Sequence, residues 1–295
     1  STALAGVAFL SVCGLAFSSP AGAQGLPSGG TVAAGSATIS TGTGTVTIDQ
    51  SSQAAAINWD SFSIAAGNRV EFVQPNSSAV ALNRVLGTDP SLILGSLTAN
   101  GKVFLVNPNG VLFGPGSQVN VGGLVASTLD LSDADFMAGH YAFTGRGVGT
   151  VTNQGTIVAT EGGFVALLGA TVSNHGVISA RLGTVALAGG EAVTLDVAGD
   201  GMLNVTVDTG AINALVENGG LLRADGGTVV MTAQAAGALL HTVVNNNGVV
   251  QARTLENRKG AILLLGDMQG GTMNVGGSLD ASAPDGGDGG FVETS

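Results

Sequence analysis

A repeat of irregular length constrains this chain more than any other feature. Asn, Gly, a run of alternating apolar residues, a further Gly and a second alternating run recur through the second half. The copies read NQGTIVATEGGFVALL from Asn153, NHGVISARLGTVAL from Asn174, NGGLLRADGGTVVM from Asn218 and NGVVQARTLENRKGAILLL from Asn247. A fifth, GGSLDASAPDGGDGGFVETS, starts at Gly276. The anchor glycines Gly155, Gly176, Gly220, Gly248 and Gly277 are spaced by 21, 44, 28 and 29 residues. Such spacing predicts a solenoid with one coil of about twenty residues, then two coils, then two coils lengthened by loops on one side.

Within each copy the apolar positions alternate: Ile157 and Ala159, Ile178 and Ala180, Leu222 and Ala224, Val250 and Ala252, Leu279 and Ala281. Period two means strand. One such strand cannot bury its apolar edge, but equivalent strands stacked about 4.8 Å apart make a continuous narrow core. Asn and Gly suit the corners because they enter left-handed backbone conformations, and stacked Asn amides can pair along a ladder. A β-sandwich is the competing architecture; it would use two-residue hairpin turns and more aromatic filling, and aromatic residues are only 4% of this chain. The repeats share direction and register, which predicts an all-β, right-handed parallel β-helix with an N-terminal cap and short extra-helical hairpins or loops. Coils of about twenty residues from Gln24 to Ser295 would build a rod roughly 60 Å long.

The balance of charge narrows the function. The net charge is −11 with no run of Lys or Arg, so nothing attracts a phosphate backbone or anionic headgroups, and no nucleic-acid partner is expected. Residues 1–23 carry no charge and hold an apolar core from Leu4 to Phe17, followed by Pro20 and Ala21-Gly22-Ala23. This pattern predicts the C-terminal part of a signal peptide cut between Ala23 and Gln24. With no initiator Met or basic leader, the sequence is expected to start inside a precursor. The single cysteine, Cys13, falls in that segment, so a mature chain would have neither disulfides nor a Cys-ligated metal.

The first half carries further strand-like runs punctuated by turns: INWDSFSI from Ile57, VEFVQP from Val70, AVALNRVLG from Ala79, LTANGKVFLVNPNGVLFG from Leu97 and VNVGGLVASTLDL from Val119. In these motifs the sequence closely resembles the two-partner secretion domain at the N-terminus of filamentous-haemagglutinin-like and high-molecular-weight adhesin-like exoproteins. The resemblance is strong over about residues 30–145 and looser over the repeats. It implies N-terminal coils recognised in the periplasm by a dedicated outer-membrane β-barrel with POTRA domains, which passes the exoprotein outward without ATP. It also implies a domain order of signal peptide (1–23), cap and first coils (24–145) and further β-helix repeats (146–295), continued in a longer exoprotein. The whole protein would be secreted or held at the surface of a Gram-negative bacterium, where a C-terminal region could meet host or neighbouring cells. Gln74-Pro75-Asn76-Ser77 stands roughly where one variant of the family has a second, NPNL-type turn.

Few residues offer chemistry. The turn Asn107-Pro108-Asn109-Gly110 is either a contact with the transporter or a corner whose Asn side chains bond the backbone, and the corner is the expected reading. Trp59 and Phe62 are expected to plug the N-terminal end, where an open coil would otherwise associate. Asp130, Asp133 and Asp135 in DLSDADF could suggest the grouped carboxylates of a β-helix carbohydrate enzyme or a calcium site, but the setting predicts a solvated loop or cap. Asp285 and Asp288 lie in a glycine-rich stretch that does not recur as a calcium nonapeptide. His140, His175 and His241 are scattered, so neither haem nor a metal is assigned. No Ser-His-Asp set, phosphate loop or HExxH occurs, and no cofactor or enzymatic activity is expected. The rival functions are a secreted carbohydrate-active β-helix, and the secretion domain of a haemolysin, contact-dependent toxin or haem-capture protein.

Overall fold

The computed structural model describes residues 25–197, 202–212, 214–236, 242–267 and 271–295. The signal segment, Cys13, the Ala23/Gln24 junction and His241 lie outside them.

Each coil contributes a strand to each of three faces. On the first face Val177–Ser179, Leu221–Arg223, Val249–Gln251 and Ser278–Asp280 stack in parallel register. The second face stacks Thr184–Gly189, Thr228–Ala233, Ala261–Leu265 and Phe291–Thr294. The third stacks Thr171–Asn174, Leu215–Asn218, Thr242–Asn246 and Gly271–Val275. The first two continue toward the N-terminus through long strands, Gln118–Ser127 and Thr156–Gly169, which bend across both faces, and the third through the short strands Val151–Asn153, Val111–Phe113 and Ser91–Ile93. The chain is a right-handed parallel β-helix, with a single short helix among the described residues, Asp133–Met137.

Two expectations about its length are corrected. Val177–Ser179 pairs directly with Leu221–Arg223, so the 44-residue interval is one coil, not two. The surplus leaves the solenoid as the antiparallel hairpin Ala192–Val197 and Leu203–Thr209, to which Tyr141–Thr144 adds a third strand. Fewer, longer coils make a shorter rod. The second face runs from Ala54–Trp59 to Phe291–Thr294 in nine described levels, about 40 Å at the usual strand spacing instead of 60 Å.

Alternation places the core as expected. Ile157, Ile178, Leu222 and Val250 form one fully buried column, with Ala180, Ala224 and Ala252 in another. The second face departs from alternation because it is covered on both sides. Its outer surface packs Leu82, Phe104, Val125, Ala166 and Ala186 beneath Leu129, Leu131, Phe136, Phe143, Val193 and Leu195 of the excursions. Hence FVALLG and TVALAG read as nearly continuous apolar runs.

The corners are set by Asn and Gly. Asn153, Asn174, Asn218 and Asn246, all fully buried, form an amide ladder in which each Nδ2 donates to the next Oδ1 at 2.8, 2.8 and 2.7 Å. Its fourth member is Asn246, not the Asn247 from which that repeat was read, because the ladder Asn lies two residues before the corner glycine. Asn153, Asn174 and Asn218 each accept from that glycine's N–H, of Gly155, Gly176 and Gly220. The glycines themselves stack: a Cβ on Gly176, Gly220, Gly248 or Gly277 would lie 2.0–2.2 Å from the carbonyl oxygen of the glycine one coil below.

At the N-terminal end Thr31–Ala34 pairs antiparallel with Ala54–Trp59, and Ala37–Gly42 pairs antiparallel with Thr45–Gln50. These strands occupy edges that would otherwise offer free N–H and C=O groups to another chain.

Candidate recognition site

Asn107 ends the strand Lys102–Val106 and opens the turn into the third face. Its side chain is fully buried. Asn107 Nδ2 donates to the Asp89 carbonyl and to Ser91 Oγ, both at 3.0 Å, while Oδ1 accepts from the Asn109 N–H at 3.0 Å and from Asn109 Nδ2 at 3.2 Å. Asn109 Nδ2 also donates to the Gly87 carbonyl at 2.9 Å. Gly110, at φ 118°, returns its N–H to the Asn107 carbonyl. Pro108 presets the first turn position, and its carbonyl accepts from the Gly149 N–H at 3.1 Å. Both asparagines are thus spent on holding the corner.

The surroundings of the turn were not read from the sequence. Residues 128–150 leave the solenoid, cross the second face and return beside the turn, and Arg84 fixes the crossing. Its guanidinium bonds Asp130 Oδ1 at 2.8 Å, Asp133 Oδ1 at 2.7 Å, Asn58 Oδ1 at 3.2 Å and the Leu131 carbonyl. Burial works to lower the Arg84 pKa, but the bonds and charges of Asp130 and Asp133 hold it above its usual value. Asp135 belongs to the helix: Ser132 caps it by accepting from the Asp135 N–H at 3.1 Å. The acidic cluster is therefore a docking point for an arginine. A lone Arg in the apolar strand AVALNRV, with acids some fifty residues on, was the available signal. Phe104, Phe136, Tyr141 and Phe143 pack edge-on or tilted above it, with centroids 5.0–6.2 Å apart.

Trp59 and Phe62 lie in the first coil, each 1% exposed, with rings 5.4 Å apart and nearly perpendicular. The indole N–H donates to Asn83 Oδ1 at 3.0 Å. A Cβ on Gly30 would come within 2.6 Å of the indole, so the N-terminal segment lies directly on it. Gln74, at the corner beneath the Asn107 turn's strand, exchanges 2.7 Å bonds with Asn100 and donates to Gln50 Oε1 at 3.0 Å. Asp288 pairs with Lys259 at 3.0 Å. His140 and His175 are exposed and apart from each other's surroundings. Among the described residues no group of three or more His, Cys, Asp or Glu could hold a metal ion, and no helix is long and apolar enough to cross a membrane.

A solenoid with this corner and these excursions has known counterparts, and residues 23–281 match the model of the TPS secretion domain. The chain belongs to that family. TPS domains serve the export of large exoproteins by Gram-negative bacteria, and the domain implies a cognate outer-membrane transporter as partner. A heme/hemopexin-binding protein of Haemophilus influenzae is 38% identical over 257 residues, covering 84% of this chain and 28% of that protein. A second H. influenzae protein of the same name is 35% identical over 244 residues, covering 75% and 26%. The TPS chain thus spans little more than a quarter of the length of these curated relatives. The crystal structure of the HMW1 secretion domain from H. influenzae superposes with a TM-score of 0.67 at 27% identity, over 85% of this chain and 74% of that one. The filamentous hemagglutinin secretion domain superposes with a TM-score of 0.54 at 16% identity, over 92% and 99%, a likeness of fold alone.

Proposed function

We propose that this TPS domain is the N-terminal targeting part of an adhesin-like surface or secreted exoprotein, read in the periplasm by a β-barrel transporter with POTRA domains and folded outside the cell. In this reading residues 1–23 are a signal peptide cut at Ala23/Gln24. Residues 24–145 form the cap and first coils, and 146–295 the repeats that follow. Trp59 and Phe62 act as the hydrophobic plug of the first coil, and the domain is not itself an enzyme.

The observation that carries the reading is nearest-neighbour stacking within a matched TPS domain: coil after coil pairs in register with the one before. A chain built this way can cross a pore extended and gain free energy coil by coil as it emerges. The names of the relatives favour a second reading, in which the exported protein captures haem or its carrier; it differs in cargo and not in export.

The test is to express the full precursor beside its transporter and assay the medium. Export that depends on the transporter is expected. Equal export after deletion of the transporter would overturn the assignment.

A further inference from the structure

The main chain of the Asn107–Gly110 turn is closed by residues from both directions in sequence. Ser91 N–H donates to the Gly110 carbonyl at 3.0 Å and Asn107 N–H donates to the Ser127 carbonyl at 2.9 Å. The last closure comes from Gly147-Val148-Gly149-Thr150. Gly149 N–H donates to the Pro108 carbonyl at 3.1 Å, and Thr150 C=O accepts from the Val111 N–H at 2.9 Å.

This segment lies flat on the chain below it. A Cβ on Gly149 would stand 2.2 Å from the Asn109 carbonyl carbon and the Gly110 nitrogen, and one on Gly147 would stand 2.4 Å from the Thr128 carbonyl oxygen. Only glycine allows such an approach. At its C-terminal end the segment runs into Val151–Asn153, paired in register with Val111–Phe113; before that Val148 points outward at 90% exposure, and the approach is tethered by Arg146 Nε to Glu191 Oε2 at 2.8 Å and by Gly145 N–H to the Glu191 carbonyl at 2.9 Å. Glu191 precedes the extra-helical hairpin. The segment therefore seats only after residues some forty to eighty positions beyond the turn have arrived, and it buries no large side chain of its own.

We infer that Gly147–Thr150 is a strap whose closure over the Asn107–Gly110 turn withdraws that turn from the transporter. The inference rests on the reading that the transporter recognises these coils before they are folded. An open turn presents the Pro108 carbonyl and the Val111 N–H to a partner strand or loop. A closed turn has both engaged internally. Partner and strap engage the same main-chain groups, so the strap seats only once the turn has left the transporter, and the seated strap bars the turn's return.

Two variants test this in the full precursor with its transporter. Gly149→Ala blocks the seat sterically, and Glu191→Gln removes the tether charge without adding bulk; neither substitutes a residue of the turn, and Glu191→Gln does not touch it. Strap opening is read in the exported protein by trypsin cleavage after Arg146, whose side chain is 81% exposed. Both variants are expected to be cut faster, Gly149→Ala by about tenfold, since cleavage follows the open population. In cells both are expected to raise the fraction of exoprotein cross-linked to the transporter and to slow its appearance in the medium. Faster trypsin cutting with an unchanged cross-linked fraction would refute the inference, and so would unchanged cutting in both variants. Should Gly149→Ala fail to fold, Glu191→Gln decides alone. Wild-type export that ignores the transporter would instead refute the recognition reading itself, so the two failures are distinguishable.

Discussion

Replacing Gly183 with Ala tests the glycine column at the corner between the first and second faces. Gly183 does not need an unusual backbone angle; it needs the absence of a side chain. Its Cβ would lie 1.8 Å from the Gly163 carbonyl oxygen and 2.9 Å from the carbonyl carbon, both backbone atoms. Reaching a tolerable contact requires the two coils to part locally by about 1.2 Å, and no rotamer change can supply that. The shift strains the flanking cross-coil bonds, Thr228 N–H to Gly183 C=O at 2.8 Å and Gly162 N–H to Arg181 C=O at 2.9 Å. Overpacking of this kind costs about 1–3 kcal/mol, and each weakened bond about 1 kcal/mol. The reduced freedom of the unfolded chain returns about 0.4–1 kcal/mol. The net expectation is a loss of about 2–4 kcal/mol, measured by equilibrium urea unfolding of the purified domain. Gly42→Ala is the control, because its nearest atom would be 3.9 Å away, and it should change stability by less than about 0.5 kcal/mol. A Gly183→Ala domain as stable as the control would show that the coils are not held at the separation described.

Three further outcomes are expected. Ile178, fully buried in the NHGVISA strand, tests register: Ile178→Asp should cost several kcal/mol in urea unfolding, and an unchanged melting temperature would contradict its inward placement. Asn174→Ala interrupts the amide ladder and deprives Asn153 Nδ2 and the Gly176 N–H of their shared acceptor; a loss of about 2–4 kcal/mol is expected by the same method. Asp225 tests charge. Burial works to raise its pKa, but hydrogen bonds and charge from Arg253 bring it below the ordinary carboxylate value. A depressed folded pKa gives stability that is complete above the unfolded value and lost as pH falls through the folded one. Asp225→Asn should therefore lower the melting temperature at neutral pH, with wild type and variant converging in acid; a gap that persists at low pH would exclude the ion pair as its cause.

What could be read from the sequence follows from how local each feature is. The inward set Ile157, Ile178, Leu222 and Val250 is fixed by alternation within a strand and by a corner glycine two residues before, both visible in a short window. The ladder position in VVNNNGVV is not legible because three asparagines adjoin there, and only the cross-coil bond from Asn218 Nδ2 picks out Asn246. The 44-residue interval was misread for a different reason. AVTLDV and LNVTVDT alternate as well as any coil strand does, since a hairpin packed on a solenoid face buries one side just as a coil strand buries one side in the core. Period alone cannot separate the two.

The features that escaped the sequence are those that join distant segments, and their physical cost explains why they are few. Coil-on-coil contacts close loops of one coil length and repeat the same chemistry. By contrast, Arg84 reaches residues 46 and 49 positions away to hold Asp130 and Asp133, and Arg146 reaches Glu191 45 positions on. Loop-closure entropy rises only slowly with such lengths, but the ordering must be offset by a few contacts instead of a whole face. The Arg84 contact meets that cost with charge-assisted bonds and an aromatic cluster at Phe104 and Phe136, so it should form early and hold firmly. The strap meets it with three main-chain bonds and an ion pair whose arginine is exposed, so it should open more readily than the Arg84 contact. This asymmetry puts the more easily opened of the two closures directly over the Asn107–Gly110 turn.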